Sequence, residues 1–167
     1  IRCAQRYQLA MSNSGFFLRG GLTHGPICLT DDIIFGSALV ECYQLESKAS
    51  IVPRVILAEP LQQILLEFQR AASNPLATAA ADAICRDVDG WWFVNYLQAA
   101  RVDAGIQWPL IERHKASILE SLSHATRHEV FPKYGWECRY HNLFCHWHRN
   151  DAGYHDRFRF QRTDCLF

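Results

Sequence analysis

Phe17-Leu-Arg-Gly-Gly-Leu-Thr-His-Gly-Pro-Ile-Cys28, followed after a short turn by Ile34-Phe-Gly-Ser-Ala-Leu-Val-Glu-Cys-Tyr-Gln-Leu-Glu46, decides the fold of this chain. A β-rich stretch runs into paired glycines, Thr30-Asp-Asp32 reads as a hairpin turn, and Phe35-Gly36 opens a helix. Glycine lets backbone pass close to other backbone or to a ligand, because it carries no Cβ. From Ser37 onward, Leu39, Cys42, Tyr43 and Leu45 give an apolar stripe with charges on the other face, so a helix is expected over 37–48.

Upstream, residues 1–13 carry apolar positions at helical intervals (Ala4, Tyr7, Leu9, Met11) and end at the stop-and-turn cluster Ser12-Asn-Ser-Gly15. A strand is expected over 16–18. Downstream, residues 51–57 read as a strand with Pro53 near its start, and Glu59-Pro60 opens a helix with proline in the first turn. Leu61, Ile64, Leu65 and Phe68 continue that helix, which Ser73-Asn-Pro75 breaks, and an alanine-rich run follows over 76–83. Residues 84–97 read as a hairpin with Asp89-Gly90 at the turn. Helices are expected over 109–128 and 132–147, and the alternation of Phe158 and Phe160 suggests a terminal strand. The order is helix, hairpin, helix, strand, helix, hairpin, helix, helix, which predicts an α+β fold with helices packed on a mainly antiparallel sheet.

Composition narrows the function. The 167 residues suffice for a real core, and 49% apolar content excludes disorder. Lys plus Arg number 17, as do Asp plus Glu, so charge gives no case for binding nucleic acid or an anionic membrane. No apolar run approaches the roughly 18–20 residues that span a bilayer. The seven cysteines are odd in number and lack framework spacing, which suggests reduced thiols in a cytoplasm. The first residue is not Met and the start reads as mid-helix, so the chain is expected to be the C-terminal part of a longer one.

Arg19-Gly-Gly-Leu-Thr-His-Gly25 fits the Arg-x-Gly-[Ile/Leu]-x-x-Gly strand of class III nucleotidyl cyclases, and Gly36-Ser-Ala-Leu-Val-Glu-Cys-Tyr-Gln-Leu-Glu46 falls where that family has Gly-Asp-x-Val-Asn-x-Ala-x-Arg-Leu-Glu. The whole run, with Pro53-Arg-Val-Ile56, resembles a divergent bacterial branch similar to the pyrimidine cyclases of anti-phage defence. Asp87-Val-Asp-Gly90, His114-Lys115, Lys133-Tyr-Gly-Trp136 and Tyr140-His-Asn142 extend the resemblance more loosely.

The resemblance implies a ferredoxin-like cyclase-type sheet with packed helices. Residues 1–100 would be a partial cyclase domain lacking its N-terminal strands, and 101–167 a helical extension packed on it. It implies formation of a 3′,5′-cyclic nucleotide and pyrophosphate from a nucleoside triphosphate, with Mg²⁺ or Mn²⁺, at a site shared across a head-to-tail homodimer. The family's two metal-binding aspartates lie upstream of the glycine ribbon, before this chain starts, so the chain alone is expected to be inactive. The alternative is a degenerate cyclase-fold module that binds nucleotide or a partner without chemistry.

The same resemblance nominates site residues. Ser37 stands where the family often has a base-reading Asp, and a hydroxyl still donates and accepts; helix N-capping is its plainer role. Val40 and Gln44 replace an Asn and an Arg that orient the ribose and stabilise the phosphorane. Loss of such a donor typically costs about 10²–10³ in rate. Glu41 is a candidate for facing nucleotide or else a solvated helix residue. Arg19 is a candidate phosphate contact or else a cross-sheet ion pair. Arg54 reads as a surface residue, and Asp31 and Asp32 as solvated turn residues.

Two constellations stand apart. Cys138, His141, Cys145 and His148 share one helix face with residue types zinc prefers. The outer pair would lie about 15 Å apart at 1.5 Å rise, so one straight helix rarely closes a tetrahedron with them, and a small zinc-binding structural protein is the third reading. Trp91, Trp92, Trp136 and Trp147 are read as packing residues in preference to a base-stacking platform. His24 has no visible partner.

Overall fold

The computed structural model describes residues 1–70, 81–103, 105–161 and 164. The chain forms two compact units. One, the sheet unit, comprises Leu18–Asn95 with Ile1; the other, the helical unit, comprises Arg2–Phe17 and Tyr96–Phe167.

The sheet unit holds a four-stranded mixed sheet in the order β1-β4-β6-β5. Strand β1 is Gly20–Leu22, and a two-stranded ribbon follows, β2 (Cys28–Leu29) against β3 (Ile34–Phe35). Thr30 closes that ribbon: its Oγ1 accepts from the Ile33 N–H at 3.0 Å, as a turn hydroxyl does. Helix α2 (Ser37–Gln44) continues as a π-helical turn over Leu45–Ala49 and leads to β4 (Val55–Leu57). Strand β4 lies parallel to β1, with Gly21 opposite Ile56. The segment β1-α2-β4 is therefore a βαβ crossover, and the sheet is mixed, its other two pairings being antiparallel, in keeping with the expected α+β fold on a mixed, mainly antiparallel sheet. Parallel pairing requires such a crossover, and α2 supplies it.

Helix α3 (Glu59–Arg70) starts with Pro60 in its first turn, as expected. The break at Ser73-Asn-Pro75 lies outside the described residues, as does most of the alanine-rich run. Strands β5 (Ile84–Arg86) and β6 (Trp92–Val94) form the expected antiparallel hairpin, and Gly90 takes φ 90°, a value its turn position favours in glycine. Ile56, Leu57, Ile84, Phe93 and Val94, on β4, β5 and β6, are buried. Burying such side chains is worth about 1.5–3 kcal/mol each.

The helical unit contains α1 (Arg2–Ser12), a 3-10 turn at Tyr96–Ala100, a small ribbon of β7 (Arg101–Val102) and β8 (Gly105–Ile106), α4 (Trp108–Ser123) and α5 (Phe131–Trp147). Pro109 and Pro132 sit in the first turns of α4 and α5, where a missing N–H is harmless. Ile118, Cys138 and Phe160 form a buried cluster with Phe17, Leu122 and Tyr134 packed on it.

Two local expectations fail. Residues 16–18 are not a strand; pairing begins at Gly20, because Val55–Leu57 offers backbone partners only from there. Phe158 and Phe160 do not alternate in a terminal strand. Phe158 ends a 3-10 turn (Asp156–Phe158), and both rings are buried in the helical unit. Burial of the two rings overrides the period-2 pattern. Among the described residues, no helix is long and apolar enough to cross a membrane.

Candidate functional site

The glycine ribbon and α2 meet at Gly21. A Cβ built there would lie 2.7 Å from the Cys42 carbonyl oxygen and 2.8 Å from Leu45 Cβ. Only glycine admits α2 at this distance. At the helix start, Gly36 takes φ 152°, and a Cβ there would lie 2.5 Å from the Pro26 carbonyl oxygen. Gly36 thus occupies the N-cap position that Ser37 was read as filling, and Ser37 is the first helical residue.

With one side held on β1, α2 turns the other outward. Ser37, Val40 and Gln44, at i, i+3 and i+7, are all exposed and share a face. The structure therefore brings Ser37 and Gln44 together with Val40 between them. Glu41 is half-buried beside them and accepts a hydrogen bond from Thr23 Oγ1 at 2.5 Å. That bond ties α2 to the residue after β1 and replaces the solvated glutamate of the plainer alternative. Arg19 is held apart from this group: its Nε pairs with Glu46 Oε1 at 2.6 Å, on the π-helical turn.

Arg54 is not a surface residue. Its side chain is 2% exposed and pairs with both Asp87 and Asp89 of the β5-β6 turn. Pro53 and β4 carry the guanidinium inward, where an unpaired charge is untenable and two carboxylates meet it. Partial burial works against Asp89 ionising. The hydrogen bond from Arg54, the Trp91 N–H and the Arg54 charge together still hold its pKa below the ordinary value.

These contacts bear on the divalent ion that the resemblance implies. Asp87 and Asp89 neutralise Arg54, Glu46 pairs with Arg19, and Glu41 accepts a hydrogen bond from the Thr23 hydroxyl. Asp31 and Asp32 are exposed in the ribbon turn. Among the described residues no group of three or more His, Cys, Asp or Glu side chains is placed to hold a metal ion. Among the described residues, the donor set does not fit Mg²⁺ or Mn²⁺.

The helix-face quartet does not converge either. His141 is engaged by His114 and by the Phe158 carbonyl, Cys138 packs with Ile118 and Phe160, and His148 bonds Asp151 at 2.8 Å. Burial pushes the Cys85 and Cys145 thiols up to about 12, and raises Cys42 as well, so none of these is an activated thiolate. Trp91 and Trp92 belong to the sheet unit, while Trp136 stacks on Tyr140 in the helical unit and Trp147 is 46% exposed. His24 is exposed.

Sequence reasoning missed the Arg54 clamp and a buried run of ionisable residues around His114. The signal for the first was the close spacing of Asp87 and Asp89, two carboxylates in one tight turn. The helical unit also carries an open cleft of about 470 Å³, whose lining includes Ser14, Glu120, His124, Arg127 and Tyr134. Its charges are of both signs, so it favours no single ligand class. Comparison of the chain with protein-family models, curated proteins and solved structures found no match.

Proposed function

We propose that the sheet unit is the base- and ribose-facing half of a nucleotidyl cyclase-like site that two copies of the chain share. One observation carries the reading: Gly21 fixes α2 on β1 of a βαβ crossover while the Ser37, Val40 and Gln44 face stays exposed. Ser37 reads a base edge and Gln44 orients the ribose through its amide. Arg19 reaches phosphate only by leaving Glu46. The ions the resemblance implies would be held by carboxylates other than those described, and the complete protein would act in the cytoplasm.

The second copy is supported by apolar exposure next to this face. Leu29, Ile34, Phe35, Leu39 and Tyr43 are each more than 40% exposed. Apolar patches of this kind mark interaction sites. A second reading, a nucleotide-binding module without catalysis, is favoured by Val40, which cannot hydrogen-bond, and by the uncharged Gln44.

Incubation of the purified chain with each nucleoside triphosphate and Mg²⁺ or Mn²⁺ tests both. The expected result is saturable triphosphate binding with no cyclic product. Cyclic nucleotide from this chain would overturn the half-site reading, and absence of any triphosphate binding would overturn both readings. Cyclic product formed once the family's two metal-binding aspartates are supplied upstream of the glycine ribbon separates enzyme from module.

A further inference from the structure

A line of ionisable side chains crosses the helical unit out of reach of water. Tyr96 and His114 are fully buried, as is His141, and Glu137 is 1% exposed. Three hydrogen bonds connect them and a fourth ties His141 to the backbone of Phe158. The Tyr96 hydroxyl lies 2.6 Å from Glu137 Oε2 and 2.8 Å from His114 Nε2. His114 Nδ1 lies 2.9 Å from His141 Nδ1, and His141 Nε2 lies 2.7 Å from the Phe158 carbonyl oxygen. The two imidazole planes are 11° from parallel and their centroids 5.2 Å apart, so the rings meet edge to edge through their Nδ1 atoms.

The last contact sets the direction of the others. A carbonyl oxygen only accepts, so His141 carries a proton on Nε2. In a neutral ring its Nδ1 is then bare and accepts. His114 must donate from Nδ1, which leaves its own Nε2 bare. Tyr96 has one proton and gives it to that nitrogen. The Tyr96 oxygen then faces Glu137 Oε2 at 2.6 Å, and the contact is attractive only if the carboxyl group holds a proton and donates it. Two other arrangements with a neutral Tyr96 fill all four bonds. Both move the Glu137 proton to Tyr96 and the Tyr96 proton to His114 Nε2, giving a carboxylate; the imidazolium is then His114, 3.6 Å away, or His141, if the proton between the two rings also passes to His141. In either, two ions are held without water, which is costly.

We propose that Glu137, Tyr96, His114 and His141 are a buried proton lock: it closes only when Glu137 keeps its proton and both imidazoles are neutral. Closed, it joins α4, α5, the Tyr96 turn and the Phe158 turn. When Glu137 ionises, the single Tyr96 proton serves either Glu137 or His114, and the chain loses one bond. This goes beyond the nucleotide site and does not depend on it.

The surroundings agree with that proton count. Burial raises Glu137 to about 8 against the Tyr96 hydrogen bond, and lowers His114 and His141 to about 3. Each packed element presents its own polar groups. On α5, Tyr140 accepts the Leu97 N–H at 3.0 Å, and Cys145 Sγ lies 3.6 Å from His141 Nε2. On α4, Lys115 is occupied by the carbonyls of Arg157 and Arg159 and by Asp164. On α1, Ser12 faces Tyr96 and donates its own proton to the Leu9 carbonyl.

The sign of the pH dependence follows. Glu137 has a raised folded pKa, so its contribution is complete below its ordinary value of 4.5 and is lost as pH rises through about 8. The histidines have lowered folded pKa values, so theirs is complete above 6.5 and is lost as pH falls toward about 3. Between 4.5 and 6.5 the unfolded chain holds two histidine protons against one on folded Glu137, and stability rises with pH. Between 6.5 and 8 only folded Glu137 holds one, and stability falls. Each proton corresponds to about tenfold in the folding constant per pH unit.

Urea unfolding of the full chain across this range tests the lock. Wild type is expected to be most stable near pH 6.5 and to lose about tenfold in the folding constant per pH unit on the alkaline side. Glu137→Gln, whose amide donates to Tyr96 in place of the carboxyl group, is expected to lose the alkaline decline and keep the acid one. An alkaline decline that persists unchanged in that variant overturns the proposal. Nitrogen NMR of the wild-type imidazoles needs no variant. His114 is expected as the Nδ1–H tautomer and His141 as the Nε2–H tautomer at pH 6. An imidazolium at either ring, or the opposite tautomer at His114, overturns it.

Discussion

Arg54→Met is expected to destabilise the chain by about 3–5 kcal/mol, because it leaves the Asp87 and Asp89 carboxylates facing each other without their cation. The guanidinium is 2% exposed and Asp87 12%, so water screens that pair little. Asp89 is 48% exposed, so Asp89→Asn should cost no more than about 1 kcal/mol. The pair of variants distinguishes a buried clamp from a surface ion pair. Urea midpoints read both. If Arg54→Met falls within about 1 kcal/mol of wild type, the clamp does not hold β4 to the β5-β6 turn. The lowered pKa of Asp89 adds a sign: its share is present above its ordinary value of 3.8 and is lost as pH falls further.

Gly21→Ala is expected to abolish triphosphate binding while Gly20→Ala leaves it within about twofold of wild type. The two glycines are neighbours in one strand, yet their surroundings differ. A Cβ at Gly20 would meet Val55 Cγ2 at 3.6 Å, an ordinary contact. At Gly21 the obstruction is the Cys42 backbone and the Leu45 Cβ, neither of which can rotate away, so α2 must lift from β1. Overpacking of this kind costs typically 1–3 kcal/mol. It also displaces Ser37 and Gln44, which α2 carries. Equal behaviour of the two variants would mean that the seating of α2 does not matter to the site.

Much of this was readable in advance, for local reasons. Gly36, Pro60, Pro109 and Pro132 punctuate helix starts, and Asp89-Gly90 marks a hairpin, because each residue type fixes a backbone choice on its own. The α+β class followed from that order of elements. Non-local partners were not readable. Arg54 lies 33 and 35 residues from its carboxylates, and an Arg after Pro53 gives no sign of burial by itself. The lock joins residues up to 41 apart. His114 and His141 look like ordinary helix residues until α4 and α5 bring their Nδ1 atoms together. The Phe158 and Phe160 pattern misled because alternation describes a strand only where a partner strand exists. At the site itself, the glycines showed where α2 would be seated, whereas the Thr23–Glu41 bond depends on a distance that sequence does not encode.

Amide NMR of the chain, titrated with each of the four ribonucleoside triphosphates, tests the nucleotide-facing role of α2 most directly. Saturable shifts are expected at Ser37, Val40 and Gln44, and their loss in Gly21→Ala but not in Gly20→Ala. Shifts confined to the cleft around His124, Arg127 and Tyr134, or none at millimolar nucleotide, would contradict it.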